Sequence, residues 1–336
     1  MSRAGSASAS ADHRTPELTV FLSRCFAWCV VAAMTVFLLN NYLTNWRGWP
    51  GPAAIFGGGD ALAWVQAVLY VAGFAVAIGY VWRTPQQGLR PDSEIIYGVT
   101  AFIVRAAFWA VVLVGLADMV ISFMRVEGFL PAVFGQELAT DLSRSQFRGQ
   151  YVHFPMAVAG ILIAVFNRGL GFHWLSLLVV AAELLIVLTR FIFSYEQAFM
   201  ADLVRFWYAA LFLFASAYTL LEEGHVRVDV LYSGFSERTK GLVNAGGSVL
   251  LGMTLCWVII IYGMSNKTTV INSPLLTFET TQTGFGMYVK YWMAGFLGIF
   301  AISMLLQFAG YFMESVADYR GESGRRVVEG ETAAAS

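Results

Sequence analysis

Hydrophobic residues make up 58% of this 336-residue chain and charged residues only 13%, and the formal net charge is −1. A soluble domain carries roughly 25% charged residues, so a water-soluble fold of this composition would expose large apolar patches, which soluble monomers rarely do. The mean hydropathy is +0.64, and the apolar residues are spread along the whole chain. These properties favour an integral membrane protein and give no indication of nucleic acid as a partner.

In chain order, the first predicted element is a disordered tail over residues 1–17, which is rich in Ser and Ala. A helix needs about 20 mostly apolar residues to cross the hydrocarbon core, and eight runs of about that length follow. They cover residues 18–43, 61–82, 95–123, 151–166, 174–193, 204–221, 242–264 and 288–316. The expected fold class is therefore an all-α integral membrane protein with about eight transmembrane helices and short interfacial amphipathic helices.

An even number of spans places both termini on one side of the membrane. Lys and Arg are about twice as frequent in the segments that share this side as in the opposite segments, and basic residues accumulate in cytoplasmic loops. The sequence therefore predicts that both termini are cytoplasmic.

Two segments between spans have patterns of their own. Leu130, Phe134, Leu138 and Leu142 recur every four residues, which predicts a helix lying flat on the outer surface with its apolar face towards the membrane. Residues 266–286 form a polar, Thr-rich outer loop that is long for a connection between spans. Long ordered loops are often functional, so this loop is a candidate docking surface.

Ionisable residues within spans are costly and normally face protein or a water-filled path. Arg105 lies about ten residues into the third run and Glu183 about nine residues into the fifth, which predicts an ion pair between them at matched depth. The alternative is that Glu183 relays a proton or an ion. Asp118, near the outer end of its span, is expected to be satisfied by Arg190 or Arg205.

Residues at the cytoplasmic end of the last span are simpler to interpret. Glu314 and Asp318 lie four residues apart where the chain leaves the membrane, so both are expected to be solvated.

The residues that would indicate an enzyme or a cofactor do not occur together in this sequence. His153 lies at the outer end of the fourth span and His173 at the inner end of the fifth, so they cannot share a haem iron. No catalytic constellation can be placed at one depth, and neither an enzyme nor a cofactor is expected. The spans also read as continuous helices, which suits a scaffold better than a moving carrier built on interrupted helices.

The most informative stretch is the octet at residues 225–232, in which His225, Arg227 and Asp229 alternate with valines and Tyr232 is last. By spacing alone it predicts a half-buried arm on the cytoplasmic face. The arm could equally meet lipid phosphates or another protein. Ser236 is expected to cap the next helix.

This octet resembles the signature of the small permease subunit of tripartite ATP-independent periplasmic (TRAP) transporters, the DctQ-like family. The similarity covers roughly residues 174–319 and extends to matching positions on both sides of the octet, namely Arg190, Ser273, Glu279, Lys290 and residues 305–307. Typical relatives have about four spans, whereas four more precede the similar region here. The expected organisation is a cytoplasmic tail (1–17), a four-helix membrane extension (18–172), a DctQ-like four-helix domain (173–319) and a second cytoplasmic tail (320–336).

The resemblance implies a scaffold subunit in the bacterial inner membrane. Its partners would be membrane lipids, a large DctM-like permease that moves substrate by a sodium-driven elevator motion, and a periplasmic solute-binding protein. It also implies that the motif residues His225, Arg227, Asp229 and Tyr232 brace the arm or contact the large permease. The outer loop with Ser273, Thr277, Glu279 and Lys290 would help to dock the binding protein. Family members usually carry organic carboxylates. The alternative is an autonomous secondary transporter or channel.

Overall fold

The structure of the protein is a computed structural model that describes residues 18–169, 172–195, 198–221, 232, 234–280 and 286–324. These described residues are 84% helical and contain no strand. Within the described ranges, eight helices are long and apolar enough to cross a membrane. The predicted fold class, an all-α membrane protein with eight spans, is therefore confirmed.

The helices follow one another with short connections. They are α1 (Leu18–Asn45), α2 (Ala61–Arg83), α3 (Leu89–Val126), α4 (Leu130–Leu142), α5 (Ser145–Arg148), α6 (Phe154–Phe166), α7 (Phe172–Phe193), α8 (Ala198–Leu221), α9 (Glu237–Gly247), α10 (Thr254–Met264), α11 (Asn272–Thr277) and α12 (Lys290–Arg320). A 3₁₀ turn covers Pro52–Gly57, and π-helical turns join α5 to α6 and α9 to α10.

The two longest helices, α3 and α12, form the centre of the bundle. They pack against each other and both contact α8; α3 also packs against α6, and α12 against α1, α9 and α10. In each central helix, about half of the residues in its apolar 18-residue stretch are buried, compared with 17% of the residues in the same stretch of α2 and of α7. Helices from both predicted membrane segments thus share one core, and the division near residue 172 stays a prediction about sequence organisation.

The bundle has two ends, which we name by the elements that lie there. At the terminal end α1 begins and α12 ends. At the loop end lie α4, α11 and the connection between α1 and α2. The contacts Asn41–Asn272 and Arg90–Asp318 show that each end brings together residues distant in sequence.

Two glycines allow close helix contacts. A Cβ atom on Gly160 of α6 would lie 2.4 Å from the backbone nitrogen of Ala110 in α3, and one on Gly241 of α9 would lie 2.5 Å from that of Tyr319 in α12. Small residues let helix backbones approach closely in membranes, where packing drives association. These positions therefore fix how α6 and α9 lie against the central pair.

Several helix boundaries differ from the predicted ones. The third span begins at Leu89 rather than residue 95, and the last ends at Arg320 rather than residue 316. Hydropathy excluded these turns because they carry charged residues, but Arg90 of the third span pairs with Asp318 of the last span across the bundle. The fourth span begins at Ser145, and Pro155 lies at the start of α6, directly after the π-helical turn Gly149–His153.

The predicted surface helix is confirmed as a helix, α4, but its four apolar residues do not share one face. Leu130 and Leu142 are buried, whereas Phe134 is 43% and Leu138 39% exposed. Gly135 adopts a φ of 78° inside the helix, a conformation that favours glycine. The kink shifts the helical register, so the every-four-residue pattern cannot continue along one side.

Candidate docking loop and buried polar clusters

The predicted docking loop lies at the loop end and is partly helical, because α11 interrupts it. The hydroxyl of Thr277 donates to the carbonyl oxygen of Ser273 (2.9 Å) within this short helix, and the Thr277 side chain is exposed. Glu279 forms an ion pair with Lys290, the first residue of α12, and its carbonyl oxygen accepts from the Tyr291 amide at 3.1 Å. The four predicted loop residues thus lie on one folded segment. Residues 281–285 lie outside the described part.

Phe278 anchors this loop to the bundle. It has a φ of 50°, which places it in the left-handed region. Its ring packs edge-on against Tyr291, with the centroids 5.3 Å apart, and covers Gly149, where a Cβ atom would overlap the ring. The loop is therefore held against both α12 and the π-helical turn before α6.

Asn272 attaches the same loop to α1. Its side-chain amide donates to the Asn41 side-chain oxygen at 2.9 Å and to the carbonyl oxygens of Met264 (2.9 Å) and Asn266 (3.1 Å). Asn272 is 1% exposed. One buried amide thus joins the N-terminal membrane segment to the loop.

Beneath the loop, Asp118 is the centre of a fully buried polar cluster. Its carboxylate accepts from the Arg148 guanidinium at 2.7 Å and from the backbone amide of Tyr288 at 2.9 Å. His153 lies between this carboxylate and the Tyr291 hydroxyl, with its Nε2 3.0 Å from Asp118 and its Nδ1 2.7 Å from the hydroxyl oxygen. Asp118, Arg148 and His153 are all 0% exposed, so the charges of the carboxylate and the guanidinium compensate each other away from the surface.

Arg148 makes several further contacts. It donates to the Ser122 hydroxyl at 3.1 Å and to the Leu142 carbonyl oxygen at 2.9 Å. Its guanidinium carbon lies 4.2 Å from the ring centroid of Tyr288, and that of Arg125 lies 4.5 Å from the same ring. Arg125 also donates to the Gly286 carbonyl oxygen at 2.6 Å. Cation–π contacts of this kind strengthen when they are desolvated, so the two arginines hold the chain just before α12.

The predicted partners of Asp118 were wrong. Arg205 is 72% exposed and lies 3.7 Å from Asp202 on its own helix, and Arg190 is exposed on α7. The partner is Arg148, which enters the bundle through the short helix α5 and its π-helical continuation. Arg148 falls in the outer connection when spans are read by hydropathy, and for this reason the pairing was missed.

The predicted ion pair between Arg105 and Glu183 does not form in the described part of the protein. Glu183 is exposed on α7, and the buried Nε of Arg105 has no hydrogen-bond partner there. α7 packs mainly on α8 and scarcely touches α3. Although the two residues lie at a similar depth, their side chains are on helix surfaces that do not face each other.

A second buried cluster lies at the terminal end. Arg24 (1% exposed) pairs with Asp92 (0% exposed) at 2.8 Å and donates to the carbonyl and hydroxyl oxygens of Thr84, each at 2.8 Å. The Trp28 indole donates to the same Asp92 carboxylate at 2.7 Å. This cluster joins α1, the end of α2 and the start of α3. Sequence reasoning missed it, although an arginine inside the first apolar run was a sufficient signal.

The expectation that Glu314 and Asp318 are solvated was also wrong. The Tyr97 hydroxyl donates to Glu314 at 2.8 Å, and Arg90 pairs with Asp318 at 2.8 Å. The arginine also donates to the Glu322 carbonyl oxygen at 2.9 Å. Both acids therefore tie α12 to α3.

Most of the predicted arm lies outside the described residues, and this includes His225, Arg227 and Asp229. Tyr232 is described: its hydroxyl accepts from the Asn244 side chain at 2.8 Å, and the Lys240 ammonium lies 5.7 Å from its ring centroid. The predicted helix cap is confirmed, because the Ser236 hydroxyl accepts from the Thr239 amide at 3.3 Å.

Comparison with known proteins identifies one similarity. Residues 178–318 match the family model of the DctQ component of tripartite ATP-independent periplasmic transporters. A search of curated proteins and a search of solved structures gave no match. The matched range begins within α7 and ends near the end of α12. The matched family consists of transporter components rather than of enzymes. Residues 178–318 are therefore similar to the DctQ component, and four candidate spans precede the matched range.

Proposed function

We propose that this chain is the small transmembrane scaffold subunit of a sodium-driven, binding-protein-dependent TRAP transporter for an organic solute, most simply a carboxylate. The match of residues 178–318 to the DctQ component carries this proposal. The proposed partners are a large DctM-like permease, a periplasmic solute-binding protein and the lipids of the bacterial inner membrane.

The packing of the bundle supports a scaffold role. Six of the eight candidate spans are unbroken α-helices, and the other two remain helical through a π-helical turn. Autonomous carriers, in contrast, usually bind substrate between interrupted helices. Buried ion pairs lie near both ends of α3, with Arg24–Asp92 at one and Arg148–Asp118 at the other. Such contacts resist sliding of one helix past another, which suits a fixed anchor for a moving partner.

The distribution of basic residues supports an orientation with the terminal end in the cytoplasm. The arm motif at residues 225–232 would then lie on the cytoplasmic side, where we propose that it contacts the large permease. The docking loop would face the periplasm, from which a soluble binding protein delivers substrate. The N-terminal extension would enlarge the scaffold around the same core.

Reconstitution tests the proposed function. Liposomes would contain either the purified chain alone or the chain with its large permease, and a panel of labelled organic acids would be offered with the binding protein under a sodium gradient. We expect uptake only with both membrane subunits and the binding protein present. Uptake by the chain alone would instead support an autonomous carrier.

The docking loop gives a more specific prediction. Thr277→Trp should reduce binding-protein-dependent uptake about tenfold, equivalent to ~1.4 kcal/mol of docking free energy, because it adds bulk to an exposed side chain of α11. The yield of assembled complex should not change. Uptake rate and complex yield would be measured in the same proteoliposomes.

Thr140→Trp is the matched control. Thr140 is also an exposed threonine at the loop end, and its hydroxyl donates to the carbonyl oxygen four residues earlier at 2.8 Å. Uptake by this variant should remain near that of the unmodified complex. Equal losses in both variants, or none in either, would contradict a docking role for the loop.

A further inference from the structure

Glu183 carries a carboxylate on the exposed face of a membrane-spanning helix. It lies near the middle of α7, about ten residues from either end, which corresponds to about 15 Å at a rise of 1.5 Å per residue. Its side chain is exposed and makes no hydrogen bond or ion pair within the described part of the chain. A carboxylate at this depth in contact with lipid alone is costly.

The packing of α7 explains why no residue in the described part of the chain covers Glu183. The helix packs on α8 through a stripe formed by Leu175, Val179 and Ala182, which are 0–6% exposed. At 100° per residue, Glu183 lies beside this stripe, with Val180 and Val187 next to it along the helix. Those two valines are 63% and 50% exposed.

Two acids near the ends of α3 have charged partners within this chain. Asp92 and Asp118 are 0% exposed, and each faces an arginine at less than 3 Å. The cost of burying a charge away from water is offset only when such a partner is present. By the same physics, the exposed position of Glu183 indicates a partner outside this chain.

We propose that the face of α7 formed by Val180, Glu183 and Val187, the Glu183 face, is covered by a transmembrane helix of the large permease. A Lys or Arg side chain of that helix would pair with Glu183. Charge complementarity identifies this occupant. Lipid tails cannot form a hydrogen bond or an ion pair with a carboxylate, whereas a basic side chain at the same depth can pair with it and is itself neutralised. This inference rests on the proposed function, since it takes the large permease as the neighbour.

Photo-crosslinking in membranes of the native host tests this contact. A benzophenone amino acid would replace Val187 in one variant and Leu185 in the other. The two positions are 50% and 49% exposed but point to roughly opposite sides of the helix. We expect crosslinks to the large permease, identified by mass spectrometry, from position 187, and at least tenfold fewer from position 185. Equal yields, or crosslinks from position 185 alone, would overturn the assignment of this face.

Charge removal tests the role of the carboxylate itself. Glu183→Leu and Glu183→Gln should each lower the amount of large permease that co-purifies with the tagged chain by at least tenfold, because a basic side chain of the partner would lose its counter-charge. Glu94→Leu is the control, since Glu94 is an exposed glutamate near the start of α3, close to water. It should leave recovery unchanged.

The outcomes separate this inference from the function on which it rests. If the unmodified chain recovers no large permease, the proposed function fails. If it recovers the permease and the two Glu183 variants recover as much, the function stands and the Glu183 contact is overturned. Size-exclusion profiles of the Glu183 variants would be compared with that of the unmodified chain. A variant that elutes as a monodisperse protein but no longer recovers the large permease supports the contact.

Discussion

Replacing Arg148 with Met is expected to destabilise the purified protein by about 3–5 kcal/mol, the usual cost of removing one member of a buried ion pair. Asp118 would keep its carboxylate in a site that is 0% exposed, with the Tyr288 amide, His153 and the Ser122 hydroxyl as its remaining contacts. The apparent melting temperature in detergent should fall by on the order of 10 °C, as measured by the unfolding fluorescence of the tryptophans.

Arg144→Met is the control for this effect. Arg144 lies four residues earlier, is 66% exposed and pairs with Asp141 at 3.2 Å. Exposed pairs of this kind contribute little to stability, so the melting temperature of the Arg144→Met variant should stay close to that of the unmodified protein. In the double variant Asp118→Leu with Arg148→Met, the loss should be smaller than the sum of the single losses. Additive losses would show that the pair is not coupled.

Replacing Gly160 with Val should prevent recovery of monodisperse protein. A Cβ atom there would lie 2.4 Å from the nitrogen and 2.7 Å from the Cα of Ala110, and backbone atoms of a central helix cannot move aside as a flexible side chain can. The helices α3 and α6 would have to separate, at a cost above the ~1–3 kcal/mol usual for overpacking. Size-exclusion chromatography after detergent extraction measures the outcome.

The matched control is Gly98→Val. Gly98 lies on α3, and no atom lies within 4 Å of a Cβ atom built at that position. This variant loses only glycine's flexibility and should elute like the unmodified protein. Normal elution of Gly160→Val would mean that α3 and α6 do not make the close contact described.

The eight spans could be predicted from the sequence because the length of an apolar run decides whether a helix can cross the hydrocarbon core. The same reasoning placed the third span too late, since Arg90 and Asp92 lower the hydropathy of its first turns. Those charges lie inside the bundle because Arg24 and Asp318 neutralise them. Charged residues that pair across the bundle at the ends of spans therefore lower the hydropathy there, and a prediction from hydropathy makes the span too short.

The polar pairs were harder to predict. Depth along a helix can be counted from the sequence, but the direction of a side chain around the helix depends on which neighbour packs there. Arg105 and Glu183 were paired by depth, yet α7 turns its buried stripe towards α8 and leaves Glu183 outside. Asp118 and Arg148 lie 30 residues apart, and only the turn through α4 and α5 brings them together.

Affinity purification tests the central claim, that this chain is the small subunit of a TRAP transporter, most directly. The tagged chain would be extracted from its native host in mild detergent, and every co-purifying protein identified by mass spectrometry. Recovery of a large polytopic permease in fixed proportion, with or without a periplasmic solute-binding protein, is the predicted result. Recovery of the chain alone, monodisperse and able to transport solute in liposomes, would contradict the subunit assignment.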